Sequence, residues 1–336
     1  MKTKSSHKAV GLISGGMDSA LAARLIKAQG IKVYGIFFSM PWGCGHLRMA
    51  QKLAQSLSIP LKIFPLREEF IEIIRHPRYG HGSAFNPCRD CHILMLQKAK
   101  NYMHELQADF VFTGEVLGQR PMSQLTNSLN LIERESGLKG QLLRPLSARH
   151  LNPTQAEIRG LVDREKLLNI TGRSRQTQYR LVKKLGLKNF AAPAGGCLLT
   201  DRHFSNRLKD ALNHGIRHWN DLLILRWGRH FRLDDKTKTI IGRDERENAQ
   251  LINHCHPQDY ILELPDEYPG PTGILQANSN PEPFFKITAG LVQRYSNMKS
   301  APSQMVTCRH SWGSEPITMV QATRLNEDDI RHWHIL

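Results

Sequence analysis

The stretch Val10-Gly11-Leu12-Ile13-Ser14-Gly15-Gly16-Met17-Asp18-Ser19 decides how the first half of this chain folds. The apolar run Ala9 to Ile13 reads as a buried strand, and Ala20 to Lys27 reads as a helix. A strand that turns directly into a helix aims the helix's unsatisfied N–H groups, and the positive end of its dipole, at whatever lies above the turn. That arrangement favours an anion. Gly15 and Gly16 let backbone approach the anion without a Cβ in the way, and Ser14 and Ser19 add hydroxyl donors. The turn therefore reads as a phosphate cradle. It lacks the Gly-Lys-Ser/Thr ending of a Walker loop and carries the carboxylate of Asp18 instead, which suits a Mg²⁺ ion between protein and phosphates.

Downstream, strand-like and helix-like stretches alternate. Ile31 to Phe38, Leu61 to Phe64 and Asp109 to Thr113 read as strands, and Leu142 to Leu146 suggests a last short one. Leu47 to Leu57, Glu68 to Ile74, Asp90 to Leu106, Pro153 to Leu168 and Gln176 to Leu185 read as helices. Such alternation predicts an α/β fold, a parallel doubly wound sheet with ligands at the carboxyl ends of its strands. Ser14 to Ser19, Phe38 to Trp42 and Gly114 to Gln119 all fall there. Beyond about residue 202 the pattern changes. Leu222 to Trp227, His230 to Leu233 and Thr237 to Ile241 read as short strands, Glu245 to Ile252 as a helix, and Tyr260 to Leu264 leads into a Pro/Gly-rich loop over Pro265 to Gly273. The expected division is a catalytic domain over 1–201 and a smaller α+β domain over 202–336.

The chain has 336 residues, 40% hydrophobic and 23% charged, which is the composition of a soluble globular protein. No apolar run reaches membrane-spanning length and the polar start has no signal-peptide core, so a cytoplasmic protein with no membrane partner is expected. Lys and Arg number 46 against 30 Asp and Glu, a net charge of +16, which points to a polyanionic partner such as nucleic acid. Between Lys166 and Thr200 there are seven basic residues and no acidic one; Arg173, Arg175, Lys183 and Lys184 are among them. The run reads as a phosphate-tracking surface, with a solvated basic face as the plainer alternative.

The second chemical feature is Asn86-Pro87-Cys88-Arg89-Asp90-Cys91-His92. Proline suits a first helical turn, so both cysteines sit near a helix start, on one face, where the dipole favours thiolate. A Cys-x-x-Cys pair serves redox chemistry, half a zinc site or part of an Fe–S cluster. Cys197 follows in the glycine-rich run Pro193-Ala194-Gly195-Gly196-Cys197, and Cys44 lies near the expected nucleotide edge as an extra thiol. His254-Cys255-His256, Cys308, His332 and His334 read as structural or surface residues.

Ser14 to Ser19 resembles the SGGxDS loop of the PP-loop ATP pyrophosphatases, whose fold is HUP-like and which cleave ATP between the α- and β-phosphates to leave an adenylate. With Asn-Pro-Cys-x-x-Cys after the third strand, Thr113-Gly114 after the fourth and the Gly-Gly-Cys loop, residues 8 to 200 look like the tRNA thiouridylases of the MnmA/TrmU and ThiI type, and like archaeal and thermophile tRNA thiolases. The resemblance implies ATP and Mg²⁺ on Ser14, Gly15, Gly16, Asp18 and Ser19, with adenine near Phe38 and Gly114. It implies Asp18, Cys91 and Cys197 as catalytic residues. In cluster-dependent members three cysteines hold a 4Fe–4S cluster with one iron open, and Cys88, Cys91 and Cys197 match that arrangement. The cluster is the favoured form, because three thiols, not two, converge in the proposed layout. The resemblance also implies tRNA as partner and a sulfur donor, either a persulfide carrier protein or sulfide. Two departures stand out. Glu115 replaces the histidine of Thr-Gly-His, and the chain after residue 202 does not look like an MnmA β-barrel.

Arg226-Trp227-Gly228-Arg229-His230-Phe231-Arg232 and Ile241 to Asn248 instead resemble the RNA-binding module of NFACT proteins. There Arg229 and Arg232, interleaved with aromatics, are candidates to meet phosphates and bases. The reading is an ATP-dependent tRNA sulfurtransferase. The alternatives are a PP-loop ligase that adenylates and then attacks with nitrogen, which needs no cysteines, and a nucleotide-sensing RNA-binding protein without turnover.

Overall fold

Five short strands form one parallel sheet in the structure, a computed structural model that describes residues 7–43, 45–191, 196–216, 218–298 and 302–336. β1 (Lys8–Leu12) lies in the middle, flanked by β2 (Lys32–Ser39) and β4 (Phe110–Phe112). β3 (Leu61–Pro65) and β5 (Leu142–Leu143) complete the order β3-β2-β1-β4-β5. The chain winds outward from β1 to β3, then crosses back and winds the other way. The direction reverses between β1 and β4, and the crevice beyond their carboxyl ends is where an open α/β sheet holds its ligand.

The intervening helices are α1 (Met17–Lys27), α2 (Leu47–Ser56), α3 (Glu68–Arg75), α4 (Cys88–Glu105), α5 (Thr126–Glu135), α6 (Gln155–Ile158) and α7 (Gln176–Lys184). The core joins Ala9, Ile13, Phe110 and Phe112 of the sheet region to Leu21 and Ile26 of α1, Leu53 of α2 and Val182 of α7. α1 is buried on nearly every side: Ala20, Leu21, Ala22, Ala23 and Ile26 are all at 0% exposure. Burying Leu21 alone is worth roughly 1.5–3 kcal/mol, and the alanines set how closely this helix lies on its neighbours.

Contacts divide the chain into two compact units, residues 1–200 and 201–336. The second unit opens with α8 (Arg202–Asn213) and α9 (Trp219–Leu223), then β6 (Arg229–Asp234), β7 (Thr237–Ile241) and α10 (Glu245–His254). It continues with β8 (Tyr260–Glu263), β9 (Gly273–Ala277), α11 (Glu282–Arg294), β10 (Met305–His310), β11 (Pro316–Gln321) and α12 (Glu327–Trp333). Its six strands form an antiparallel sheet in the order β11-β10-β8-β9-β7-β6, with Phe231, Leu262, Leu275, Leu291 and Val306 in the core.

Two expected elements differ. Leu222 to Trp227 is not a strand: α9 runs into a 3₁₀ turn at Ile224–Arg226. The cause is local, because Asp221 Oδ2 accepts the His218 N–H at 3.1 Å and so caps a helix start just ahead of the leucines. The long helix expected over Pro153 to Leu168 is cut to the single turn of α6, after which the chain turns at Gly160 and makes a 3₁₀ turn at Arg164–Lys166. Among the described residues no helix is long and apolar enough to cross a membrane.

Candidate active site

Gly15 has φ +79, and a Cβ there would lie 2.6 Å from the His46 carbonyl oxygen and 2.7 Å from the Ala50 nitrogen. The turn thus needs glycine both for its left-handed backbone and for its close approach to α2. Gly114, at the end of β4, meets the start of α1 as closely: its Cβ would stand 2.6 Å from the Asp18 carbonyl carbon and the Ser19 nitrogen. Two backbones therefore touch at the switch point, and the hydroxyls close the turn on itself. Ser19 Oγ donates to the Gly16 carbonyl at 2.8 Å and lies 3.3 Å from Ser14 Oγ.

Above this turn is a cavity of about 220 Å³ whose lining includes Ser14, Asp18 and Ser19. Phe37, Phe38, Met40 and Gly114 line it, as do Cys88, Cys91 and Cys197. Gly15 and Gly16 supply backbone to the turn beneath. Each element arrives for a reason. α4 starts at Cys88 behind Pro87, which puts both cysteines of the Cys-x-x-Cys pair in its first turn. The preceding loop is tied down by Asp90, whose Oδ1 accepts the Arg78 N–H at 3.0 Å and whose Oδ2 accepts the Tyr79 N–H at 3.1 Å. Ala191 donates its N–H to the Gly15 carbonyl at 2.8 Å, so the segment leading toward Cys197 is stitched to the turn. Residues 192–195, with Gly195, lie outside the described residues, and so does Cys44.

The three cysteines are half-buried. Asn86 Nδ2 donates to Cys88 Sγ at 3.1 Å, while the Cys197 thiol donates to the Trp42 carbonyl at 3.3 Å. Among the described residues no group of three or more His, Cys, Asp or Glu side chains is gathered so as to hold a metal ion. Cys88, Cys91 and Cys197, the residues expected to seat a cluster, do line one cavity. Mg²⁺ is a different case. Asp18 Oδ1 is buried with no hydrogen-bond partner among the described residues, which fits a carboxylate oxygen meant for a cation beside phosphates.

Among the cavity residues without an assigned role are His92, Glu115, Gln119 and Arg120. Glu115 is buried and accepts from Thr113 Oγ1 and Arg144 Nε, each at 3.0 Å, and its Oε1 lies 2.9 Å from His92 Nδ1. Arg144 also donates to Glu133 at 2.9 Å. Burial pushes the Glu115 carboxyl up, but the Arg144 guanidinium and the His92 ring pull it down further, to about 2. The departure from Thr-Gly-His thus places a permanent carboxylate, held by a buried arginine, at the back of the cavity. Only the Glu115 departure itself could have signalled this; Arg144 is 29 residues away.

The basic candidates separate. Arg173, Lys183 and Lys184 are exposed, Arg175 is half-buried, and α7 also presents Tyr179 and Arg180 to solvent while burying Gln178 and Val182. In the second unit Arg232 is committed to Asp210, with Nε to Oδ1 at 3.0 Å and Nη2 to Oδ2 at 2.7 Å. Arg229 packs its guanidinium over the Tyr295 ring, 4.5 Å from the centroid. Both candidates for meeting RNA thus also make contacts within their own unit.

Residues 4–152 match the family of the thiamine biosynthesis protein ThiI, and residues 228–334 match the NFACT protein RNA-binding domain. The chain joins a ThiI-type PP-loop domain to an NFACT-type domain. The chain is 37% identical over 126 residues to the tRNA-specific 2-thiouridylase MnmA of Syntrophotalea carbinolica, covering 34% of this chain and 36% of that protein. It is 33% identical over 115 residues to the protein of the same name from Helicobacter hepaticus, covering 31% and 32%. The matched part thus spans about a third of the length of these relatives. Among solved structures, the U34-tRNA thiolase NcsA from Methanococcus maripaludis with its [4Fe-4S] cluster is 20% identical over 57% of this chain and 61% of that one, with a TM-score of 0.32. That level of likeness carries nothing over to this chain.

Proposed function

We propose that the protein is an ATP-dependent tRNA sulfurtransferase that adenylates a uridine carbonyl and replaces its oxygen with sulfur. The observation that carries this is the shared cavity: three thiols, Cys88, Cys91 and Cys197, line the same space as Ser14, Asp18 and Ser19 of the PP-loop. A ligase using nitrogen has no use for those thiols, and neither does a sensor without turnover. The ThiI and MnmA likenesses of the PP-loop domain support the same reading.

ATP binds with its phosphates on the backbone N–H groups at the start of α1, and its adenine lies against Phe37, Phe38 and Met40 over Gly114. Bound Mg²⁺ supplies charge neutralisation of the phosphates, and Asp18 Oδ1 is the oxygen that would hold it. The uridine carbonyl oxygen attacks the α-phosphate and pyrophosphate leaves, so the former carbonyl oxygen departs later as AMP. The outer sulfur of a persulfide on Cys197, loaded by a persulfide carrier, attacks the activated carbon as AMP leaves. The Cys91 thiolate then attacks the Cys197 sulfur of the resulting disulfide, releasing thiouridine and a Cys91–Cys197 disulfide that an external thiol reduces. A 4Fe–4S cluster held by Cys88, Cys91 and Cys197 would be the other route, supplying sulfide from its open iron. The tRNA is held by the exposed basic face of α7 and its surroundings, Arg173, Arg180, Lys183 and Lys184. Residues 1–201 are thus the catalytic domain and 202–336 an accessory RNA-associated domain.

The test is anaerobic purification followed by assays of iron, acid-labile sulfide and alkylatable persulfide. Incubation with tRNA, ATP, a persulfide-loaded carrier protein and a thiol reductant then follows, with thiouridine and AMP measured by mass spectrometry. Thiouridine made in step with AMP, and lost in Asp18→Asn and Cys91→Ser, is expected. About four irons per chain would move sulfur delivery to a cluster. AMP without thiouridine would move the reading to the ligase, and ATP left intact to the sensor.

A further inference from the structure

Asp18 is oriented by a chain of two amides. Gln119 Nε2 donates to Asp18 Oδ2 at 2.9 Å, and Gln178 Nε2 donates to Gln119 Oε1 at 3.1 Å. The polarity of this chain is forced. A carboxylate only accepts, so Gln119 must turn its NH₂ to Asp18 and its carbonyl to Gln178, which must in turn present its own NH₂. Gln178 sits on the buried side of α7 at 0% exposure, and its Oε1 has no partner among the described residues. Burying an amide with one end unpaired is costly, and an apolar side chain would pack on that face of α7 without the loss. What the amide gives in return is a fixed Gln119, and through it a fixed Asp18. One carboxylate oxygen is held by protein and the other, Oδ1, is buried without a partner among the described residues.

We propose that Gln119 is a positioning residue for Asp18, anchored by Gln178 from α7, and that this amide pair fixes which Asp18 oxygen meets the divalent cation of bound ATP. The inference rests on the nucleotide reading of the PP-loop but not on sulfur chemistry. It also makes the cation grip of the loop depend on α7, a helix 59 residues further along the chain from Gln119. Positioning of this kind acts on ligand geometry more than on fold stability.

The experiment uses the full chain with Mn²⁺·ATP and no tRNA, read by electron paramagnetic resonance, on wild type, Gln119→Met, Gln178→Met, the double variant and Asp18→Asn. Methionine keeps the length and removes the donor. Gln119→Met is expected to weaken Mn²⁺·ATP about tenfold and to change the bound-Mn²⁺ spectrum, and Gln178→Met to weaken it about threefold. The double variant should be no weaker than Gln119→Met alone, because both changes break one chain. Wild-type affinity and spectrum in Gln119→Met, or simple addition of the two losses, would overturn the proposal. Should Gln119→Met fail to fold, Gln178→Met decides alone by the same affinity and spectrum. If Asp18→Asn binds like wild type, Asp18 does not hold the cation and the relay falls with it, whereas no bound Mn²⁺·ATP on wild type would sink the nucleotide reading itself. Loss of thiouridine synthesis with an intact amide effect would sink the sulfur reading and leave the relay standing.

Discussion

The two units differ most in how they spend charge. Residues 1–200 hold 29 Lys and Arg against 13 Asp and Glu, whereas residues 201–336 hold 17 against 17. The whole excess of +16 therefore lies in the unit that carries the PP-loop. In the second unit the basic groups are used internally: Arg232 and Lys238 converge on Asp210, and Arg243 pairs with Glu247 at 2.5 Å. In the first unit, Arg180, Lys183 and Lys184 stand exposed along α7, whose apolar side packs inward. A sequence that resembles an RNA-binding module thus sits in the electrostatically balanced half. A surface built to attract a polyanion at long range sits in the other.

The contrast can be broken first at Arg144, the one buried guanidinium that serves both Glu115 and Glu133. Arg144→Met leaves a buried carboxylate without its partner and is expected to cost about 3–5 kcal/mol, seen as faster hydrogen exchange in β4 and β5 and not in β7 to β9. Acid should do something similar without mutation. Glu115 has its carboxyl held at about 2 against an ordinary 4.5, so it stabilises the fold above 4.5 and loses that contribution as pH falls toward 2. The loss is on the order of 3 kcal/mol. A denaturant titration of wild type and Glu115→Gln between pH 5 and 2.5 measures it, and parallel pH profiles for the two would refute it.

Next comes the polyanion surface itself. Replacing Arg180, Lys183 and Lys184 together by Gln should weaken tRNA binding at least tenfold. It should also flatten the dependence of log affinity on log salt by about 0.7–0.9 for each phosphate that is no longer neutralised. An unchanged salt slope would take tRNA away from α7. The smallest effect belongs to the second unit: Arg246, exposed and resting its guanidinium over Trp227, should change tRNA affinity less than twofold when replaced by Gln. A larger loss there would return the main RNA-binding role to the NFACT-type domain.

How much could be read in advance follows the range of the forces involved. The PP-loop was legible because everything it needs is local, a strand, two glycines, hydroxyls and a carboxylate within ten residues. The cysteines at the start of α4 were legible through Pro87 for the same reason. Leu222 to Trp227 misled because an apolar run looks alike in a strand or a helix, and only the Asp221 cap separates them. α11 went unread because Ile287, Thr288, Gly290 and Val292 are poor helix formers, and burial against the sheet overrides them. β11 went unread because it is a sheet edge exposed on nearly every residue, so no alternation marks it. The Gln119–Gln178 pair and the Arg144–Glu115 pair join distant parts of the chain, and nothing in their spacing announces them.

The alanines of α1 carry a further consequence for how this protein can change over generations. With Ala20, Ala22 and Ala23 at 0% exposure, a side chain even one or two carbons larger has nowhere to go without lifting the helix, and with it the turn that begins at Ser14. Tolerance of variation should therefore be lowest not at the polar loop but in the plain-looking turn behind it. A library of substitutions scored for survival would admit almost nothing but alanine, glycine or serine at Ala20, Ala22 and Ala23. Drift in substrate preference would then have to be written elsewhere, in residues such as Met40, Arg120 and Ser123, which line the cavity without holding up its floor.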